Sequence, residues 1–569
     1  MLIFPRRLRH HKQITVIIRL ISSRGWQRLL GVALSLLSLS ASAPLLLARE
    51  DHDHGPLADW TPAPYAEKSA HAPTPLPDRV VLTWNADPAT TQAVTWRTDS
   101  SVRRALAELA LANDNGRALV AIPHHATTTD FTSDLGEAHF HHVTFTHLTP
   151  NTLYAYRVGD GANWSEWFHF RTAKAEPAPF TFVYFGDAQN EVKMHWSRVF
   201  REAFREAPRA AFTLHAGDLI NRANRDAEWG EWFGAPAWVH RTVPVIATPG
   251  NHEYDRINAG PESERLWTTA DGSVLPVTIA FSPEGDPAKP TGYRVTATAG
   301  GIISLIQLNT AEKIVAVDEA FTRLTGYDPA GVIGEEADDG PLQDQRAVPG
   351  TRLLSRHWQP QFAFPTHGPA GLAETAYYID YQGARIISLN SNELQEEQVG
   401  WLRNVLQTNP QRWTILTFHH PIVSPARGRD NPRLRELWKP VFDEFKVDLV
   451  LSGHDHTYAR SGDTTAKVGT QNSPGGYQQL HDPAIGTVYV VSVSGPKMYD
   501  LTNVDWAVRS AEDTQLYQII TVSGNQLHYV ARTVTNRLYD QFTLQKRPDR
   551  PNELIELLPP EARRAPVKE

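Results

Sequence analysis

Six side chains able to hold metal ions, Asp187, Asp218, Asn251, His419, His454 and His456, each lie just beyond a short apolar run. Two carboxylates, one amide oxygen and three imidazoles form a mixed oxygen and nitrogen donor set. Such a set suits two adjacent first-row cations sharing one carboxylate. Two ions a few ångströms apart suit phosphoester hydrolysis, because they clamp phosphate oxygens and lower the pKa of an attacking water. A Gly-Asp pair or a His-x-His alone is ordinarily a turn or a satisfied surface pair. The ordered set of five blocks carries the inference.

The positioning elements are β-prone runs that end abruptly in polar residues. Phe182-Val183-Tyr184-Phe185 precedes Gly186-Asp187, and Phe212-Thr213-Leu214-His215 precedes Ala216-Gly217-Asp218. Val243 to Ala247 precedes Gly250-Asn251-His252-Glu253, Trp413 to Phe418 precedes His419-His420-Pro421, and Val447 to Leu451 precedes Gly453-His454-Asp455-His456. Alternation with amphipathic segments such as 192–207 and 395–406 predicts stacked sheets covered by helices. Functional groups would then gather at the carboxyl ends of the strands.

The order Gly-Asp, Gly-Asp, Gly-Asn-His-Glu, His-x-Pro, Gly-His-x-His resembles the calcineurin-like metallophosphoesterases, and the flanking chain resembles their purple acid phosphatase branch. The resemblance spans roughly residues 78 to 546 apart from one insertion. It implies an α+β protein with an all-β sandwich in front of a four-layer αββα catalytic domain (179–546). By the same resemblance Asp218 would bridge two ions (Fe, Zn or Mn), with Asp187 and His456 on one and Asn251, His419 and His454 on the other. His252 would face the substrate and assist the leaving oxygen. The implied reaction is in-line attack on phosphorus by a metal-held hydroxide. A small phosphate monoester is the expected substrate, with a phosphodiester or nucleotide as the alternative and a non-enzymatic surface binding or sensing protein as the rival. In that branch the first Asp is followed two residues later by Gly, and the second, three residues later, by a tyrosine that colours the iron. Here Gln189 and Asn221 stand there, which removes the basis for a purple ferric chromophore. Asn221 could offer a neutral oxygen to metal or phosphate, or simply start a helix. Arg427 and Arg429, in the loop where the family recognises substrate, suit a phosphate, although exposed loop arginines are common.

The 569 residues exceed one hydrophobic core. Absence of cysteine excludes disulfides, thiolate ligands and cysteine nucleophiles. Residues 1–48 read as an export signal or anchor: Arg6, Arg7, Arg9, Lys12, Arg19, Arg24 and Arg28 precede an apolar run ending in small residues. Without these seven cations the net charge of −8 becomes about −15, which argues against nucleic acid as a main partner. No membrane contact is expected beyond that leader.

Residues 49–77 read as a proline-marked linker and 78–173 as alternating strands resembling a fibronectin III-like sandwich. The sandwich histidines, including His139, His141 and His142, are expected to need no ion. Between 265 and 357 the chain departs from the family, and 300–335 resembles the opening of a PAS sensory domain, too short to stand alone. The insertion is expected to be a structural elaboration that could cap the cleft, and residues 547–569 a flexible tail.

Overall fold

The computed structural model describes residues 67–255, 263–270, 273–286, 289–309, 313–334, 353–427, 429–462, 467–468, 478–479, 486–501 and 506–558. The leader (1–48) and most of the linker (49–77) lie outside them. Among the described residues no helix is long and apolar enough to cross a membrane.

The front domain is a sandwich of two four-stranded antiparallel sheets. One runs in the order Asp78–Thr83, Gln92–Thr98, Gly136–Phe145, Thr127–Ser133, and the other Ile122–His125, Leu106–Leu111, Leu153–Gly159, Phe168–Arg171. Alternating inward residues such as Val80, Leu82, Val94, Trp96, Tyr156 and Phe170 form its core. The buried His141 ring is held between the hydroxyls of Thr98 and Thr128, at 2.8 and 2.9 Å. His139 Nδ1 donates to the Val102 carbonyl.

Two seven-stranded mixed sheets build the catalytic domain. The first contains the parallel strands Phe180–Phe185, Thr213–His215 and Val245–Ala247; the second contains the parallel strands Ala384–Ser388, Trp413–Phe418, Leu449–Ser452 and Val488–Val491. These runs are apolar on both faces because both faces are covered. Val183, Leu214 and Ile520 of one sheet share a core with Ile386, Ile415 and Val490 of the other, so the sheets stack face to face. Helix Ser197–Glu206 packs on the first sheet, while Glu397–Gln407 and Pro432–Glu444 cover the second through Leu402, Val405, Trp438 and Phe442. The result is four layers, helix, sheet, sheet, helix.

Two expectations need correction. The tail expected to be flexible from residue 547 instead forms the strand Arg550–Glu556, outermost in the first sheet, where Arg460 clamps it by an ion pair to Glu556 at 2.8 Å. Residues 559–569 lie outside the described residues. The insertion is also larger than its resemblance suggested. Five consecutive antiparallel strands, Ser263–Thr268, Val274–Asp286, Lys289–Ala299, Ile302–Leu308 and Ile314–Val317, precede helices Glu319–Thr325 and Pro329–Val332. They close their own core around Trp267, Tyr293, Ile306, Phe321 and Val332. The strands that complete the sheet lie upstream of 300–335 rather than after it.

Candidate metal centre

Five strand ends of the facing sheets converge, and the backbone bends hard there. Asp187, Asp218 and His454 all hold left-handed φ, at 34°, 52° and 70°. Non-glycine residues adopt this conformation only when their surroundings impose it. The preceding glycines are required by space: a Cβ on Gly250 would lie 2.1 Å from Asp218 Oδ1, and one on Gly453 would lie 2.4 Å from Asp187 Oδ2. Gly250 and Gly453 therefore let one donor loop pass against the carboxylate of another, while Gly217 makes room for the Gly250 backbone and Gly186 for the Ser492 carbonyl.

The six expected donors are all buried and come together. His419 Nε2 lies 2.9 Å from Asn251 Oδ1, 3.0 Å from His454 Nδ1 and 3.1 Å from Asp218 Oδ2. His454 Nδ1 lies 2.9 Å from Asn251 Oδ1. His456 Nε2 approaches Asp187 Oδ1 at 3.8 Å. Second partners set the tautomers: His419 Nδ1 donates to the Ala216 carbonyl and His456 Nδ1 to that of Lys497, which leaves each Nε2 with its lone pair in the neutral ring. Atoms bound about 2.1 Å from one ion and at right angles to each other sit about 3.0 Å apart. Spacings of 2.9–3.1 Å among atoms that are mostly acceptors fit that arrangement better than a hydrogen-bond network. Asp187, Asp218 and His419 form one group able to hold an ion; His419, His420 and His454 form another.

The electrostatics agree. Burial and the neighbouring Asp218 push the Asp187 carboxyl well up, although His419 opposes the shift. Burial and Asp218 likewise push Glu253 up to about 7. At His419 burial works against protonation, yet the charge and hydrogen bond of Asp218 outweigh it and raise the ring to about 9. The field that draws a proton there is the field that would hold a cation.

Glu253 is a builder rather than a donor. Its carboxylate accepts from the backbone N–H groups of Asp218, Leu219 and Gly250 at 2.8, 2.7 and 2.6 Å, tying two ligand loops together. The His252 N–H donates to Asp218 Oδ1 at 3.0 Å, and its Nδ1 donates to the Asn221 carbonyl at 2.6 Å. The proton of neutral His252 is thereby placed on Nδ1, so Nε2 is the nitrogen that can take up or deliver one. Asn221 thus meets His252 through its backbone. Arg429 lies inside the site, paired with Asp455 at 2.7 Å and set against His454 Nε2 and the Tyr499 ring. Arg427 is outside it, 73% exposed and 3.9 Å from Asp500. His420 bonds Ser391 Oγ through Nδ1 at 2.9 Å. Sequence reasoning had not picked out Glu253 or Asp455 for a role; both are acids inside a ligand motif, and that is the signal that could have found them.

Residues 180–328 and 340–458 match the family model described as calcineurin-like phosphoesterase, so the two-sheet domain is a calcineurin-like phosphoesterase domain. Residues 77–172 match the family model described as purple acid phosphatase, N-terminal domain. An uncharacterized Mycobacterium tuberculosis protein is 23% identical over 442 residues, covering 73% of this chain and 68% of that one. An Arabidopsis thaliana protein named probable inactive purple acid phosphatase 1 is 20% identical over 421 residues, covering 70% and 56%. The structure of a purple acid phosphatase from yellow lupin seeds superposes with a TM-score of 0.54 at 16% identity, covering 83% and 74%. At these identities the structural likeness speaks for the fold.

Proposed function

We propose that this protein is an exported phosphoesterase that hydrolyses phosphate monoesters with two metal ions. The observation that carries the reading is the packing of buried donor atoms, His419 Nε2 standing 2.9–3.1 Å from donors of Asp218, Asn251 and His454, and His454 Nδ1 2.9 Å from Asn251 Oδ1. Asp187 and His456 would hold the first ion with Asp218; Asn251, His419 and His454 would hold the second with Asp218. When bound, such ions neutralise phosphate charge and make water acidic enough to serve as nucleophile at neutral pH. His252, its Nδ1–H held by the Asn221 carbonyl, acts as general acid in its imidazolium form, giving the Nε2 proton to the departing oxygen and returning to the neutral ring. Arg429 keeps His454 and Asp455 in place; Arg427 meets the solvent. Retention of every donor supports activity, since an inactive descendant would tolerate loss of at least one. The leader read in residues 1–48 supports export.

The test is elemental analysis of the purified mature chain, with hydrolysis of one monoester and one diester on the same preparation. About two ions per chain, ion-dependent turnover, monoester preference and no purple colour are expected. Metal-free protein that stays inactive after reconstitution would refute the reading.

A further inference from the structure

A groove of about 450 Å³ lies outside the donor cluster, between the helical turn that follows the Asp187 loop and the segment 494–499 that follows strand Val488–Val491. Its volume falls in the range of small-molecule sites, about 300–1,000 Å³. Three elements bring basic side chains to it: His195 from the turn Val192–Trp196, Arg198 from helix Ser197–Glu206, and Arg537 from the turn before strand Leu538–Arg547. His195 has a partner in Glu191, 3.2 Å away. Arg205, on the same helix as Arg198, closes on Glu202 at 2.5 Å. Neither Arg198 nor Arg537 is paired with a carboxylate among the described residues. Arg198 Nη2 donates instead to a neutral amide oxygen, Gln515 Oε1, at 2.6 Å, and both arginines are exposed. Asp513 also lines the groove and offsets one of their two charges.

The opposite wall is the segment that holds the first-ion residues in shape. Pro496 and Met498 line the groove, and between them the Lys497 carbonyl accepts from His456 Nδ1 at 3.0 Å. Two residues earlier, the Gly495 N–H donates to the Asp187 carbonyl at 2.6 Å. Gln515, the amide that Arg198 grips, donates from Nε2 to the Ser494 carbonyl at 2.9 Å. Contacts therefore run without a break from Arg198 through Gln515 and residues 494–497 to Asp187 and His456.

We propose that this groove is a second oxyanion site, which takes a phosphate or phosphoryl group between Arg198 and Arg537 and acts on the metal centre through residues 494–497. A guanidinium presents N–H groups in a planar fork that matches phosphate oxygens, and two such forks on different elements can hold one anion from two sides. The coupling rests on the two-ion reading above; the site itself does not.

Equilibrium dialysis of the purified holoenzyme with radiolabelled inorganic phosphate, at about 0.15 M salt to screen loose surface binding, counts the sites. Two phosphates per chain are expected. One should be common to wild type and variants; the other should bind at least tenfold more weakly in Arg198→Glu and in Arg537→Glu, and more tightly in Asp513→Asn. Circular dichroism melting confirms that each variant is folded. Phosphate should inhibit wild-type hydrolysis with a noncompetitive component that Arg537→Glu lacks, while the uninhibited rate of that variant stays at the wild-type value. Phenylphosphonate, which has no ester bond to cleave, separates the sources. If it displaces the groove phosphate at lower concentration than unlabelled phosphate does, the natural occupant is a phosphoryl group on an organic molecule; the reverse order identifies the free ion. A single phosphate untouched by the substitutions, or a second one that survives them, overturns the site. Purely competitive inhibition of wild type overturns the coupling. An ion-free, inactive chain that still binds one phosphate, lost in Arg537→Glu, would sink the phosphoesterase reading and leave the groove standing.

Discussion

The carboxylates of Asp226 and Asp218 are each about 1% exposed, yet their surroundings are opposite. Asp226, at the start of helix Asp226–Gly234, is met by Arg79 and Arg97 from the sandwich at 2.7 and 2.9 Å and by His357 at 3.1 Å. Arg97 has a second carboxylate in Asp78, 2.6 Å away. Charge there is answered by charge, and the cluster binds the sandwich to the catalytic domain. Asp218 has Asp187 and Glu253 close by, and among the described residues no arginine or lysine pairs with it; imidazoles, an amide and backbone N–H groups surround it. The first cluster is finished by protein alone. The second is a surplus of acids and lone pairs held by strained backbone, an arrangement that gives up stability to gain capacity for cations.

The sharpest way to break the comparison is to remove the charge of each acid in turn. Asp218→Asn should lower kcat/KM by about a thousandfold or more, since several kcal/mol of transition-state stabilisation goes with the ions. Ion content should fall with it, and the metal-stripped protein should melt no higher than wild type, because His419 loses its charged partner with the substitution. Asp226→Ala should do the reverse: two buried guanidinium groups lose their partner, costing about 3–5 kcal/mol in denaturant unfolding, with two ions still bound by the folded fraction. His252→Ala should reduce kcat by about a hundredfold or more with ion content unchanged, and least for esters whose leaving group needs no proton.

Acid should separate the clusters more gently. Burial tends to raise the Asp226 carboxyl, but His357, Arg79 and Arg97 prevail and hold it well below the usual range. Burial holds His357 below its ordinary value despite Asp226. Both native groups bind fewer protons than their unfolded counterparts, so both contribute stability that is lost as pH falls: His357 below about 6.5 and Asp226 below about 4. Urea unfolding across that range should show the loss, and Asp226→Asn should lack the portion below about 4. The smallest effect belongs to Arg427→Ala. An exposed pair at 3.9 Å contributes little, and KM should change by less than about twofold.

The donors were legible because each is written within a few residues of a strand end, and strand ends are local facts. The helix expected over 192–207 forms as a π-helical turn, Val192–Trp196, running into Ser197–Glu206. Less legible were residues whose meaning depends on what faces them. Nothing in Ala188-Gln189-Asn190 says that the glutamine amide will meet His456, and nothing near Arg429 says that it will turn inward to Asp455. The strand Arg550–Glu556 hides behind Pro551, which a sheet accepts at its margin, where one backbone N–H has no neighbour to serve. Val274–Asp286 carries Pro276, Pro283 and Gly285, so it reads as turns although it pairs along nearly its whole length.

The insertion leaves and re-enters the catalytic domain through two facing pairs, Tyr254 with Leu354 and Asp255 with Leu353. The Ser355 N–H fastens this doorway to the Glu253 carbonyl at 2.7 Å, and the Tyr254 hydroxyl fastens it to Glu393 at 2.6 Å. Seen from the catalytic loop, the intervening chain is a closed parenthesis whose ends already touch, so its length adds little entropy to ordering the loop that bears Asn251 and His252. Such a doorway is a splice point. The contents between it can be exchanged, shortened to a tight turn or replaced by another folded module, and Asn251, three residues upstream of Tyr254, need not move.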